Sequence, residues 1–265
     1  MMRGAPLRKG SASPSSVCGR TATGGWRPFR RTGGDPRPVW IVRGTKYPLP
    51  PSAHSMTSAE PQLVRDAPLP YLISAPAGPA APRPVLCFLH GYDEGPPTEV
   101  RAGLTKHGPL RPDGAPAMVG ELIVVAPQLP ARGDLWNRHA DDVLAIVRAV
   151  QKDHGGDPAR TYLTGFSFGG NGVFDVGLAH PGAWAALWAV DPTRVPPHPP
   201  TVPVWLSVGE VARFRKTAFV QRMRLRNTAE GDQVYTDLGE DHVGSATTAY
   251  RDERIYRWLL SKRLP

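Results

Sequence analysis

The chain has 265 residues, a formal net charge of +9, 40% hydrophobic and 21% charged residues, and two cysteines. That length allows one domain or at most two, and the composition excludes a wholly disordered chain, a collagen-like repeat and a disulfide scaffold. No apolar run approaches the ~20 residues that cross a bilayer, so no membrane span is expected, and the basic excess on its face points to an acidic partner such as nucleic acid or an anionic membrane.

The charge is not spread along the chain. Residues 1–55 hold ten basic residues and one acid, Asp35, which accounts for the whole +9; residues 56–265 balance 22 basic against 22 acidic residues. The segment 1–55 is rich in Gly, Pro, Ser and Arg and has no helical or strand period, so it is expected to be a disordered basic arm. Its readings are a nucleic-acid or membrane arm, a transit-like peptide, a twin-arginine signal at Arg30-Arg31, a tail without catalytic use, or a segment bypassed by a translation start at Met56. The signal reading lacks an apolar stretch after the arginines, where Thr-Gly-Gly-Asp-Pro stands instead. The balanced remainder gives no reason to expect nucleic-acid binding by the folded domain.

Apolar residues near Leu63–Ile73 suggest antiparallel edge strands. From Pro84 onward strand and helix signals alternate. VLCFLHG (85–91) and ELIVVAPQ (121–128) are continuous apolar runs. A helix follows, with Val143, Ile146, Val147 and Val150 at i, i+3, i+4, i+7 spacing. TYLTGFS (161–167) predicts a strand, with a helix through Val173–Ala179 behind it. AALWAVD (185–191) and VPVWLSVG (202–209) predict two more strands, then a helix over roughly 214–227, a strand at VYTDLG (234–239) and a closing helix over 246–262. Runs buried on both faces and separated by helices mean an α/β fold, a doubly wound and mostly parallel sheet, here over residues 62–265. Cys87 lies inside an apolar run and reads as a small hydrophobe, and neither it nor Cys18 has a neighbour at metal-ligand spacing.

The motif that carries chemistry is Gly165-Phe166-Ser167-Phe168-Gly169-Gly170. It has the form G-x-S-x-G and falls between a predicted strand and a predicted helix. A serine on such a tight turn projects its Oγ from the carboxyl edge of the sheet, and small residues two positions either side let the chain turn without clash. The helix behind it aims its first amides at the site, so Phe168 N–H can face an oxyanion. A second donor should come from the loop after the first long parallel strand, where Tyr92 N–H follows His90-Gly91. His90 itself reads as a residue that shapes this loop.

A serine nucleophile needs a base. Of the eight histidines, His242 in Leu238-Gly239-Glu240-Asp241-His242 directly follows the last strand and so emerges on the same sheet edge as Ser167. His54 lies in the arm; His107, His139, His154 and His198 read as loop or polar helix-face residues; His90 and His180 close a strand and a helix.

FLHGYDEG (88–95), KHGPL (106–110), LIVVAPQLP (122–130) with Trp136, DPARTYLTGFSFGGNGVFDVGLAHPGAWAAL (157–187) and AYRDERIYRWLLSKR (249–263) together resemble α/β-hydrolases of the group related to dienelactone hydrolases, polyhydroxybutyrate-depolymerase-like esterases and predicted peptidases. The resemblance runs from about Pro84 to Arg263. It implies a cofactor-free serine esterase, with Ser167 as nucleophile, His242 as base, and Tyr92 and Phe168 supplying the oxyanion amides. The third member of the triad departs from the pattern. The family places an Asp three residues after the glycine that ends the strand VPVWLSVG, and here that position is Ala212. Glu210, leaving the same strand, and Asp191, ending the preceding one, are both candidates, with one of the two expected to serve.

The expectation is therefore a cytoplasmic serine hydrolase that cleaves a small or medium carboxylic ester through an acyl-enzyme, its partner a small-molecule ester, with no metal or other cofactor. The alternatives are a peptidase or thioesterase of the same fold, or a degenerate hydrolase serving as a binding or scaffold protein.

Overall fold

The computed structural model describes residues 60–77, 82–211, 216–226, 228 and 231–265. The basic arm, Cys18, His54, Ala212, Arg213 and Arg215 lie outside the described residues.

The frame is an eight-stranded sheet in the order β1-β2-β4-β3-β5-β6-β7-β8, formed by β1 (Gln62–Val64), β2 (Tyr71–Ser74), β3 (Arg83–Leu89), β4 (Ile123–Pro127), β5 (Gly156–Phe166), β6 (Ala186–Val190), β7 (Val204–Gly209) and β8 (Gln233–Asp237). β1 and β2 pair antiparallel, as does β2 with β4, while every pair from β4 through β3, β5, β6 and β7 to β8 is parallel. The antiparallel edge and the mostly parallel body both match the reading of the sequence.

The reason lies in the side chains. Along β3, Val85, Cys87 and Leu89 face one apolar layer and Leu86 and Phe88 the other, all at 0–1% exposure. A strand apolar on both faces is stable only between two layers of helix. One layer holds α2 (Ala140–His154), α3 (Phe168–Ala179) and α4 (Lys216–Met223), through residues such as Val143, Val147, Phe174 and Phe219. The other holds α1 (Val100–Leu104), α5 (His242–Ala249) and α6 (Glu253–Leu260), through Leu104, Ala246, Tyr256 and Trp258. Burial pushes the Cys87 thiol far above its ordinary range, in keeping with a packing role.

Three predicted helices differ from expectation. The closing helix is two helices. Asp252 caps α6, its side chain accepting from Arg254 N–H, and the Asp252 N–H closes the preceding turn on Ala249 O. A residue that competes for backbone amides favours a helix start over a helix interior. The break lets α5 and α6 each lie on the sheet, and Tyr256 OH donates to Tyr250 O across it. Second, α3 begins at Phe168, immediately after Ser167, not at Val173. Third, α4 is shorter than 214–227: after Met223 the backbone turns left-handed at Arg224 (φ 52°). Arg222, Arg224 and Arg226 are exposed, as a solvated face requires.

Candidate active site

Ser167 stands between β5 and α3 with φ 57° and ψ −112°. That region is strained for any residue with a Cβ, and such strain persists only where the surroundings enforce it. They do so here through close backbone crossings. A Cβ on Gly169 would meet Leu89 O at 1.9 Å, and one on Gly165 would meet Gly169 O at 2.4 Å. Ser167 N–H donates to Val190 O at 2.9 Å, tying the turn to β6.

His242 is the first residue of α5. The preceding turn is set by Gly239 (φ 74°) and by the N-cap Asp241, whose side chain accepts from Val243 N–H and Gly244 N–H. The imidazole packs on the Phe166 ring, centroids 4.8 Å apart. Its Nδ1 is 2.5 Å from Asp191 Oδ2 and its Nε2 is 2.8 Å from Ser167 Oγ. An ionised carboxylate only accepts, so Nδ1 carries the proton and donates to Asp191. Nε2 of the neutral ring is then the acceptor, and Ser167 Oγ–H donates to it.

Asp191 follows the last residue of β6, is 1% exposed, and has a left-handed backbone (φ 40°). Its N–H donates to Ser207 O on β7. Glu210, the other candidate, does not contact His242 and is held elsewhere. Its Oε2 accepts from Gly239 N–H at 2.7 Å and its own N–H donates to Asp237 O, so it staples the turn after β8. The physical reason is local. Glu210 leaves β7 directly opposite the end of β8, where Gly209 pairs with Asp237, and the donor it meets there is Gly239 N–H.

Tyr92 opens a short 3-10 turn (Tyr92–Glu94) after β3, and Phe168 is the first residue of α3. Their rings meet edge to face, centroids 5.7 Å apart at 90°. The amides of a helix's first turn have no intrahelical acceptor, which leaves Phe168 N–H available beside Ser167.

His90 is a framework residue. Its Nδ1–H donates to Gly91 O at 2.6 Å, and Nε2 accepts from Leu129 N–H at 3.0 Å. Burial pulls its pKa down to about 4, so the ring stays neutral.

A second layer lies behind these residues; of its members the sequence reading covered Glu94, as an acid that shapes the loop after β3, and missed the placement of His107 and Asp237. Glu94, 4% exposed, lies under the Tyr92 turn, where its Oε1 accepts from Lys106 Nζ at 2.9 Å. Gln128 Nε2 donates to Glu94 O at 2.7 Å. His107, read as a loop residue, packs its ring on Phe166 at 4.9 Å, behind His242, and burial lowers its pKa. The proximity comes from the fold, and no local sequence signal marks it. Asp237, at the end of β8, is also buried. Its Oδ2 accepts from Ser245 Oγ–H on α5 at 2.6 Å, and burial raises its pKa to about 7. Among the described residues no cluster of three His, Cys, Asp or Glu side chains could hold a metal ion, and no helix is long and apolar enough to cross a membrane.

Comparison with protein-family models and with curated proteins finds no match. Solved structures do match. A thermostable esterase aligns with a TM-score of 0.58 at 21% identity, over 77% of this chain and 62% of that one. The acetyl xylan esterase from Aspergillus awamori aligns at 0.56 and 12% identity, over 76% and 99%. The dipeptidyl peptidase 4 of Porphyromonas gingivalis aligns at 0.52 and 14%, over 76% of this chain and 35% of that one. The chain thus spans under two thirds of the esterase first named and about a third of the peptidase. With the strand order, the turn at Ser167 and these neighbours, the chain has the α/β-hydrolase fold.

Proposed function

We propose that the chain is a serine esterase that cleaves a small or medium carboxylic ester through an acyl-enzyme on Ser167. The observation that carries the reading is the unbroken line Ser167 Oγ–His242 Nε2, His242 Nδ1–Asp191 Oδ2, at 2.8 and 2.5 Å. His242 takes the Ser167 proton as Oγ attacks the ester carbonyl. The charge that develops on the carbonyl oxygen is met by Phe168 N–H and Tyr92 N–H. The imidazolium, supported by Asp191, then gives its proton to the departing alkoxide. Water enters, loses a proton to His242, attacks the acyl carbonyl and returns Ser167 Oγ–H. The reaction needs no cofactor, and the fold neighbours named as esterases support it.

The reading is tested with a fluorophosphonate probe and p-nitrophenyl acetate. Labelling should vanish with Ser167→Ala and turnover with His242→Ala. Labelling that survives Ser167→Ala overturns the assignment. Because a dipeptidyl peptidase shares the fold, a dipeptidyl p-nitroanilide is tested beside the ester. Preference for the anilide by kcat/KM would make the chain a peptidase. No turnover of either, with intact folding, would favour a degenerate hydrolase kept as a binding protein.

A further inference from the structure

Asp191 reaches His242 from an unusual starting point. It has a Cβ yet adopts φ 40°, and its second oxygen, Oδ1, is buried with no hydrogen-bond partner in the structure. Among the described residues, the carboxylate is therefore oriented by no donor other than His242. Its direction depends on the loop that carries it, Asp191-Pro192-Thr193-Arg194.

That loop is held by α3. Asn171, 6% exposed, accepts at Oδ1 from both Thr193 N–H and Arg194 N–H at 2.9 Å, and its Nδ2 donates to Thr193 Oγ1 at 2.8 Å. One turn along the same face, both oxygens of Asp175 accept from Arg194 Nη2 at 2.7 Å. Between them Pro192 sits directly on Gly170, where a Cβ would meet Val190 O at 2.9 Å and Pro192 Cα at 3.2 Å. Asn171 also reaches the nucleophile, since its backbone N–H donates to Ser167 O at 3.1 Å. One residue thus joins the turn that presents the serine to the loop that presents the acid.

We propose that Asn171 is a positioning residue for Asp191, fixing the loop after β6 so that the carboxylate faces His242. The proposal rests on the triad reading above. Asn suits the task because a single side chain accepts two backbone amides and donates to a hydroxyl. Removing it takes the shared acceptor from two loop amides and lets a strained residue relax.

The test is a double-mutant cycle in the full chain, with kcat and KM of p-nitrophenyl acetate hydrolysis as readouts. Asn171→Ala should lower kcat by about 10²-fold, the scale of a small misplacement of a catalytic group, with KM little changed. Asn171→Asp keeps both accepted bonds and should fall closer to wild type. In an Asp191→Ala background, Asn171→Ala should cause no further loss. An equal loss in both backgrounds, or wild-type kinetics from Asn171→Ala alone, overturns the proposal and leaves the triad standing. Wild-type kinetics from Asp191→Ala overturns the triad and the proposal with it. Should Asn171→Ala not fold, Thr193→Val removes one of the three bonds and enters the same cycle.

Discussion

Asp191 and His242 are 51 positions apart in the chain and 2.5 Å apart at Oδ2 and Nδ1. The competing carboxylate, Glu210, is committed to Gly239 N–H. The two acids should therefore respond very differently to neutralisation. Asp191→Asn should lower kcat by about 10⁴, the loss seen when a triad acid becomes an amide and the imidazole takes the wrong tautomer. Glu210→Gln should keep kcat within a few-fold. Steady-state hydrolysis of p-nitrophenyl acetate decides between them, and the reverse ranking would move the acid to β7.

The elbow glycines make a second prediction. Gly169→Ala forces a Cβ to within 1.9 Å of Leu89 O, a backbone atom that cannot swing aside. Overpacking of this kind costs about 1–3 kcal/mol or more. A lowered melting temperature is expected, together with loss of probe labelling at Ser167. Gly182→Ala, with no heavy atom within 4 Å, is the control and should melt as wild type.

Asp237 predicts how stability follows pH. Burial raises its folded pKa from 3.8 to about 7, so the folded state holds this proton more tightly than the unfolded chain. Stability rises with pH only where the unfolded state binds more protons, so here the sign is negative. The contribution is fully present below the unfolded pKa of 3.8 and is lost as pH climbs through about 7. The acids facing it, Asp252, Glu240 and Asp191, push in the same direction. Melting curves should therefore show the wild type losing stability across this window relative to Asp237→Asn. Parallel profiles for the two proteins would refute it.

His90 gives a stability prediction free of catalysis. His90→Ala leaves Leu129 N–H without the ring nitrogen that accepts from it. An unpaired buried donor costs about 1–3 kcal/mol, and the lost packing on Trp136 adds to that. Chemical denaturation should show a lower midpoint.

Much of this was legible in the sequence, for reasons that differ by element. The parallel strands announce themselves because residues such as Val85–Leu89 are apolar on both faces, and only a sandwiched strand can use that pattern. Ser167 is legible because a strained turn demands Gly165 and Gly169 at fixed spacing. His242 is legible because it follows the last strand. Which carboxylate meets His242 was not, since Asp191 and Glu210 leave neighbouring parallel strands on one sheet edge. Neighbouring strands lie only ~4.8 Å apart, and residue identity does not say which way each side chain turns. What decides it is three-dimensional: a left-handed backbone at Asp191, and a donor waiting for Glu210 at Gly239. α1 escaped notice because five residues carry too little periodicity. The α5–α6 break escaped because the apolar positions continue through it, while one capping aspartate interrupts the backbone.

Carrying the acid contact on β6 has a consequence for descent. At the exit of β7 the described acid, Glu210, is held by Gly239 N–H and not by His242. The constraint is transferred instead to a pair of short segments, Gly169-Gly170-Asn171 and Asp191-Pro192-Thr193, which must change together or not at all.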